Sequence, residues 1–227
     1  MNDQDDTNNN VSEVILDLSR ENRTGLAEAI FCEGKQLSQL LTICEQISRE
    51  GKSMLFTRLA SSQFAGMENQ YAGLIDYDPV SRTGTISPRD MQSDTQIAIV
   101  TGGSSDVPVA REASRTLAFY GQPVLSIDDV GVAGLWRLLD RLDQISQKKI
   151  VICIAGMDAA LPTVLGGLVS STIIAVPTSI GYGMAKDGET ALRSLLVSCA
   201  PGLTVVNIDN GYGAACAAIR IINQFGC

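Results

Sequence analysis

Cys216 is the residue whose position most directly suggests chemistry. It follows a glycine-rich turn with Asn210, Gly211 and Gly213, between a predicted strand and an Ala-rich helix. A thiol in the first turn of a helix gains thiolate character from the free N–H groups there, and a thiolate is a nucleophile. The turn approaches the dinucleotide-binding pattern G-x-G-x-x-G, with Cys216 in the last place. The alternative is a small residue that packs the helix on a sheet.

Asp158 is the second candidate, in the turn that contains Gly156 and Met157. It comes just after an apolar strand and has apolar neighbours. A carboxylate that is desolvated there would have a raised pKa, which suits a proton carrier. A helix N-cap is the equally local alternative.

A third turn, after another predicted strand, combines glycine with hydroxyl groups and a carboxylate. Gly102 lets the backbone approach a ligand, and Ser104 and Ser105 can hold a phosphate or a carboxylate. Asp106 can cap the helix that follows, and a simple capped turn is the alternative to a binding loop. The turn 177–183 is a candidate wall for a flat ring or a sugar, and its glycines are Gly181 and Gly183.

Composition excludes several classes of protein. The chain has no histidine, which rules out a Ser–His–Asp triad and histidine-ligated zinc. A net charge of −8 argues against a nucleic-acid-binding surface, and no apolar run reaches the ~20 residues of a membrane span. The acidic N-terminus lacks a signal-peptide pattern, so we expect a cytoplasmic protein. The six cysteines, with no CxxC pair, are then expected to be free thiols.

The pattern after residue 95 predicts an α/β domain. Apolar, β-branched runs alternate with helical stretches, which indicates a parallel sheet covered on both faces. Five such strands predict a flavodoxin-like, doubly wound domain whose ligands lie beyond the carboxyl ends of the strands. The predicted strands are 96–101, 123–127, 149–154, 172–176 and 203–208.

The preceding segment predicts a small α+β domain over 11–90, after a disordered tail over 1–10. It reads as helical over 11–48, with an N-cap at Ser38, and then as short strands over 52–57, 71–76 and 83–86. Residues 87–95 are the predicted linker. The α/β domain is expected to cover 91–227.

Several motifs together resemble known families. GGSSDVPVAREA and AGMDAALPTVLGGL resemble loops of the PurE-like carboxylases. DDVGVAGL, VPTSIGYG, NIDNGYGAACAA and RENRTGLAEAIFCEGK resemble the LarB family of nickel-pincer nucleotide cofactor synthesis, whose second domain is PurE-like. PurE has a histidine where Ala160 stands. Asp158 and Trp136 depart from the LarB pattern, in which Glu and His are frequent.

The resemblance to LarB implies an enzyme that carboxylates the pyridinium ring of nicotinic acid adenine dinucleotide with CO2 or bicarbonate. It also implies hydrolysis of the phosphoanhydride, which releases AMP and pyridinium-3,5-biscarboxylic acid mononucleotide. A thiolate would add to the ring carbon opposite nitrogen, the resulting enamine carbon would attack CO2, and a carboxylate would take the ring proton before the thiolate leaves. Cys216 would supply the thiolate and Asp158 the proton acceptor.

Further implications concern binding and assembly. Asp106, Asp129, Ser104 and the Gly211–Gly213 loop would contact the substrate, and Arg23 and Lys35 would approach its phosphates, with Mg2+ as a candidate ion. No tightly bound cofactor is expected, and PurE-like assemblies imply a homo-octamer. Two alternatives stay open at this point, a PurE-type aminoimidazole ribonucleotide carboxylase or mutase and a non-catalytic nucleotide-binding module.

Overall fold

The N-terminal part of the chain is a small α+β domain. The computed structural model describes residues 13–71 and 73–225, so the predicted tail lies outside the described residues. The four strands form a mixed sheet in which the first and second strands are parallel and the other pairs antiparallel. In chain order the elements are α1 (Arg20–Thr24), β1 (Ala29–Phe31), α2 (Leu37–Glu50), β2 (Met54–Thr57), α3 (Ser61–Tyr71), β3 (Asp76–Asp78) and β4 (Thr83–Ile86).

The predicted elements of this domain need correction. The single helix over 11–48 is wrong, because Gly25 adopts the left-handed conformation (φ 73°) and ends α1 before β1 begins. The N-cap of α2 is Gln36 rather than Ser38, and the side chain of Gln39 accepts its backbone N–H at 2.9 Å. The strand over 71–76 is also wrong, since α3 ends at Tyr71 and β3 begins at Asp76. The strand over 83–86 is confirmed.

The C-terminal part is the predicted doubly wound α/β domain. Its five strands are all parallel. The elements are β5 (Ile97–Thr101), α4 (Val107–Phe119), β6 (Val124–Ile127), α5 (Leu135–Leu139), α6 (Leu142–Ser146), β7 (Ile150–Ala155), α7 (Ala160–Gly166), β8 (Thr172–Pro177), α8 (Glu189–Leu196), β9 (Thr204–Val205) and α9 (Gly211–Phe225). Their order across the sheet, β6-β5-β7-β8-β9, is the flavodoxin-like order.

Alternate residues of the central strands explain why both faces of this sheet are covered. Ile97 and Ile99 pack in a core with residues of α4 and α9, whereas Ala98 and Val100 pack with residues of α5 to α8. Strand residues that alternate between faces while all remaining apolar are typical of a buried parallel sheet.

The N-terminal domain packs against α4 and α9. Leu55 of β2 belongs to the same core as α9. At the edge of this contact, Arg115 pairs with Asp76 at 2.7 Å. The linker is also hydrogen-bonded to the second domain, since the backbone N–H of Arg89 donates to the Phe119 carbonyl oxygen at 3.0 Å. At the carboxyl edge of the five-stranded sheet, the N-terminal domain contributes Arg58, which follows β2, and Arg82, which precedes β4.

Candidate active site

Two of the predicted loops line one cavity beyond the carboxyl ends of β5 and β7. Residues from 102–106 and from 155–158 form its walls, and Ile180 closes it from the loop after β8. The cavity has a volume of about 310 Å³. Because these strands are parallel neighbours, their following loops meet at one edge, as the sequence predicts.

Asp106 is the buried carboxylate of this cavity. It accepts hydrogen bonds from the Thr178 hydroxyl at 2.7 Å and from the Gly103 N–H at 2.9 Å. Burial raises the pKa of Asp106, while the bonds from Thr178 and Gly103 lower it. Its side chain makes no capping bond to α4, so the predicted capping role is wrong. Asp106 instead ties the loop after β5 to the loop after β8.

Asp158 lies at the mouth of the same cavity. Its carboxylate is exposed rather than desolvated in the single chain, and it accepts a long hydrogen bond of 3.4 Å from the Ala160 N–H at the start of α7. Next to it, Met157 donates its backbone N–H to Ile180 at 2.8 Å. Asp158 therefore faces the space that a ligand would occupy, with one carboxylate oxygen held weakly by the backbone.

Gly156 permits the close approach of the loops after β7 and β8. A Cβ added there would lie 2.2 Å from the Ile180 carbonyl oxygen and 2.7 Å from Thr178 Oγ1. Both contacts are too short for any side chain, so glycine is required by packing rather than by φ.

We expect Gly156→Ala to push these loops apart, lower the free energy of unfolding by about 1–3 kcal/mol and abolish ligand binding at the cavity. Gly167→Ala is the matched control, because the added Cβ would meet only Val164 O, at 3.6 Å. Chemical denaturation of both variants, with ligand titration, measures the two effects. Equal unfolding free energies for the two variants would contradict this account.

Asp129 and Arg137 form an ion pair beside the cavity, with 2.6 Å between Oδ2 and Nη1. Asp129 adopts a positive φ of 59°, and its N–H donates to the Thr101 hydroxyl. Arg137 lines the cavity, whereas Asp129 is not among the lining residues. Asp129 holds Arg137 at the cavity, and the substrate contact predicted for Asp129 itself stays a prediction. No motif in the sequence singles out Arg137.

Cys216 lies in the environment of the packing alternative rather than at an exposed helix start. Helix α9 begins at Gly211, so Cys216 belongs to its second turn, and its thiol packs in the core between α9 and the sheet. Burial raises the pKa of Cys216, although a hydrogen bond with Tyr212 lowers it. The predicted thiolate-stabilising position in the first turn is thus wrong. Cys216 does not line the Asp158 cavity, and its role as nucleophile stays a prediction.

Packing or helix capping accounts for several residues of the remaining glycine loops, although their predicted substrate contacts stay predictions. Asn210 accepts the Gly213 N–H at 2.7 Å and caps α9, and a Cβ on Gly211 would lie 2.3 Å from the Val109 carbonyl oxygen of α4. Gly181 is equally close to Ala185. None of the predicted contacts Ser104, Gly181, Gly183, Asn210, Gly211 and Gly213 is among the residues lining the cavity.

The predicted phosphate-binding cations lie elsewhere. Arg23 is exposed and pairs with Asp17 at 2.6 Å, and Lys35 lines a surface cavity of the N-terminal domain. Besides Arg137, which lines the Asp158 cavity, two arginines line the adjacent cavity: Arg58, after β2, and Arg82, before β4. Neither belongs to a recognisable motif, and only the sheet pairing of β2 and β4 brings them together.

Two kinds of feature, a metal-ligand cluster and a membrane-spanning helix, are absent from residues 13–71 and 73–225. These ranges contain no group of three or more Cys, Asp or Glu side chains arranged to hold a metal ion. No helix within 13–71 or 73–225 is long and apolar enough to cross a membrane.

The structure joins a small mixed-sheet domain to a flavodoxin-like domain whose cavity lies beyond the strand ends. The profile of the LarB/PurE-like N-terminal domain matches residues 9–89, and that of AIR carboxylase matches residues 96–225. The chain belongs to the AIR carboxylase family. This family and its relatives indicate a carboxylase or mutase type of enzyme.

Relatives of the chain include two proteins of Methanocaldococcus jannaschii and one of Candida albicans. An uncharacterised protein of Methanocaldococcus jannaschii is 34% identical over 207 residues, which cover 88% of this chain and 80% of that protein. The N5-carboxyaminoimidazole ribonucleotide mutase of the same organism is 34% identical over 131 residues, or 56% of this chain and 78% of the mutase. The phosphoribosylaminoimidazole carboxylase of Candida albicans is 28% identical over 149 residues, which cover 61% of this chain and 25% of that enzyme.

Proposed function

We propose that this protein is a LarB-type pyridinium-3,5-biscarboxylic acid mononucleotide synthase. It would carboxylate the pyridinium ring of nicotinic acid adenine dinucleotide and hydrolyse the phosphoanhydride, releasing AMP. The observation that carries the proposal is a carboxylate, Asp158, at the mouth of an AIR carboxylase-type cavity in a chain without histidine. The LarB-type N-terminal domain beside this cavity supports the same choice.

The absence of histidine weighs against aminoimidazole chemistry. The resemblance to PurE implies a histidine as proton carrier in the loop that here reads Ala160-Leu161-Pro162. Within the cavity, Asp158 and Asp106 are the carboxylates, and Asp106 is already engaged by Thr178 and Gly103. Asp158 is therefore the better group to take a proton from a bound ring, because its carboxylate is exposed to the cavity mouth.

The thiol of the proposed reaction requires an accessible cysteine. Among the cysteines of the described residues, Cys199 is exposed, whereas the others are buried. Cys199 lies in the connection between α8 and β9, at the amino edge of the parallel sheet, so it would serve the Asp158 cavity of a neighbouring copy. The flanking Leu196 and Val197 are 65% and 81% exposed, as expected of apolar residues that another copy covers. We therefore propose Cys199 as the thiolate in place of Cys216.

The described residues contain no evident ligand set for a metal ion, and the magnesium ion that the resemblance implies stays a prediction. The protein's own contribution is to hold the ring near Asp158, to present a thiol and to exclude water during carboxylation.

The proposal is tested by incubating the purified protein with nicotinic acid adenine dinucleotide and 13C-bicarbonate, followed by mass spectrometry. We expect AMP and a mononucleotide product that carries one additional labelled carboxyl group. Aminoimidazole ribonucleotide with the same bicarbonate is the parallel substrate. Labelling of that nucleotide alone would establish the PurE-type alternative, and labelling of neither substrate would favour a non-catalytic binding module.

A further inference from the structure

A second cavity lies between the two domains, next to the Asp158 cavity. It has a volume of about 210 Å³ and is lined on one side by Arg58 after β2 and by the turn between β3 and β4, and on the other by α4 and the loop after β8. Ser105 and Ile180 line both cavities. The two cavities are therefore neighbours, and a ligand longer than either could lie across these two shared residues.

The two arginines of this interdomain cleft differ in how their charge is balanced. Arg58 lies 3.4 Å from the carboxylate of Glu112, which is 4% exposed, and also donates to the backbone oxygen of Asp209. Arg82 donates to the backbone oxygen of Arg58 at 3.2 Å and has no ion pair in the described part of the chain. The cleft therefore presents one guanidinium, that of Arg82, whose charge no carboxylate neutralises.

Glu112 explains why Arg58 is committed to structure. Its carboxylate accepts the N–H groups of Gly211 and Tyr212, the latter at 3.1 Å, at the start of α9. Burial raises the pKa of Glu112, and the charge of Arg58 and these backbone bonds lower it. Because Arg58 completes this buried network, Arg82 is the cation left for a ligand.

The remaining lining offers hydroxyl, carboxylate and apolar groups. The hydroxyls of Ser105 and Ser179 make no hydrogen bond within the described residues, and Asp209 uses one carboxylate oxygen to accept the Ser179 N–H at 2.8 Å. Val80 and Pro108 form apolar walls. A guanidinium can bind a phosphate, and a carboxylate can accept hydrogen bonds from the two hydroxyls of a ribose. Apolar walls can pack against a base. Together these groups are those of a nucleoside phosphate site.

We propose that the interdomain cleft binds a nucleoside monophosphate unit, with Arg82 on its phosphate and Asp209 on its ribose. Resting on the proposed function, this unit is the AMP half of the dinucleotide, whose pyridinium half lies in the Asp158 cavity. The N-terminal domain thereby supplies the side chain that binds the phosphate, Arg82. The Arg58–Glu112 ion pair stabilises the structure of the cleft.

The test is isothermal titration calorimetry of the full chain with AMP. Arg82→Gln should weaken AMP binding at least about tenfold, and Arg82→Lys should have a smaller effect because it keeps the charge but loses the fork geometry. Arg193→Gln is the matched control, since Arg193 is an exposed arginine of α8 that pairs with Glu189. Thermal unfolding of each variant checks that the fold is retained.

Two further ligands refine the assignment. Nicotinic acid mononucleotide should bind Arg82→Gln as it binds the wild type, because its ring and phosphate belong to the other cavity. AMP that lacks both ribose hydroxyls should bind the wild type more weakly than AMP, because the Asp209 carboxylate would lose its partners. AMP affinity that is equal in Arg82→Gln and the wild type would overturn the proposal. Inorganic phosphate binding as tightly as AMP would overturn its nucleoside part.

These measurements do not depend on turnover. A wild-type protein that binds AMP through Arg82 but fails to carboxylate the dinucleotide would contradict the proposed function and leave the cleft assignment standing. If the Arg82→Gln variant carboxylates the dinucleotide with the KM of the wild type, the proposed function would stand and the cleft assignment would be contradicted.

Discussion

Cys199→Ser is expected to lower the rate of carboxylation at least about a thousandfold, whereas Cys216→Ser should leave it within about threefold. A serine hydroxyl has a far higher pKa than a thiol, so it cannot supply the anionic nucleophile that the pyridinium ring needs. Single-turnover carboxylation with 13C-bicarbonate measures both rates, and calorimetry with the dinucleotide checks that binding survives. The expected difference rests on exposure, since Cys199 is exposed and Cys216 is buried.

The environment of Cys216 explains why a serine should be tolerated there. Cys216 is 9% exposed as a residue, and it packs near Tyr120 and Tyr212 on the side of α9 that faces the sheet. Serine is nearly the same size, so the expected cost is one of stability, about 1–3 kcal/mol for burying a hydroxyl in place of a thiol. Loss of carboxylation in Cys216→Ser, with full activity in Cys199→Ser, would reinstate the nucleophile predicted from the glycine-rich turn.

A site completed by a neighbouring copy adds a second expectation for Cys199. Mixing the inactive variants Cys199→Ser and Asp158→Asn should restore part of the activity after subunits exchange, because some cavities would then combine an intact Asp158 with an intact Cys199. No recovery in a mixture shown to have exchanged subunits would place both residues in one chain's site.

The sheet of the second domain was predictable because its strands are continuous apolar runs in a fixed alternation with helices. Strands β5 to β8 fall within a residue or so of their predicted bounds. Strand β9 is shorter than the predicted 203–208, since pairing ends at Val205 and Asp209 then takes a positive φ of 54°. An apolar run alone does not show at which residue an edge strand stops pairing with the neighbouring strand.

The first domain was harder to predict because its signals are short. Helix α3 was not predicted. Its N-terminus is capped by the Gln63 side chain, which accepts the Ala60 N–H, and not by the usual Ser, Thr or Asp. The arginines of the interdomain cleft carry no local signal. Arg58 and Arg82 meet because β2 pairs with β4, and Glu112 joins Arg58 from a different domain. Such groupings depend on tertiary packing, which residue spacing does not encode.

The loops of the Asp158 cavity were found because each follows a buried parallel strand, yet the roles within them were only partly predictable. Sequence placed Asp106 as a helix cap, whereas its carboxylate bridges Gly103 and Thr178, a residue 72 positions away. Sequence likewise treated the Gly211–Gly213 turn as a ligand contact, although close packing against α4 accounts for Gly211.

Asp158→Asn is expected to lower carboxylation by about two to four orders of magnitude, because an amide cannot accept the ring proton. The substitution should be nearly silent in folding, since an Asn side chain can still accept the 3.4 Å hydrogen bond from the Ala160 N–H. Asp158→Glu is the matched variant: it keeps the carboxylate, moved by about one bond length, and should retain most of the activity.

The kinetic signature separates a proton acceptor from a binding group. With deuterium at the ring carbon that is carboxylated, Asp158→Asn should show a larger primary isotope effect than the wild type, because removal of that proton becomes the slowest step. Phosphoanhydride cleavage, followed by AMP release, should fall much less than carboxylation if the two steps use different groups. A rise in KM with kcat unchanged would instead show that Asp158 binds the ring without taking its proton. Since Asp158 is exposed at the cavity mouth in the single chain, its function as a base further requires that bound substrate, or a neighbouring copy, shields it from water during the reaction.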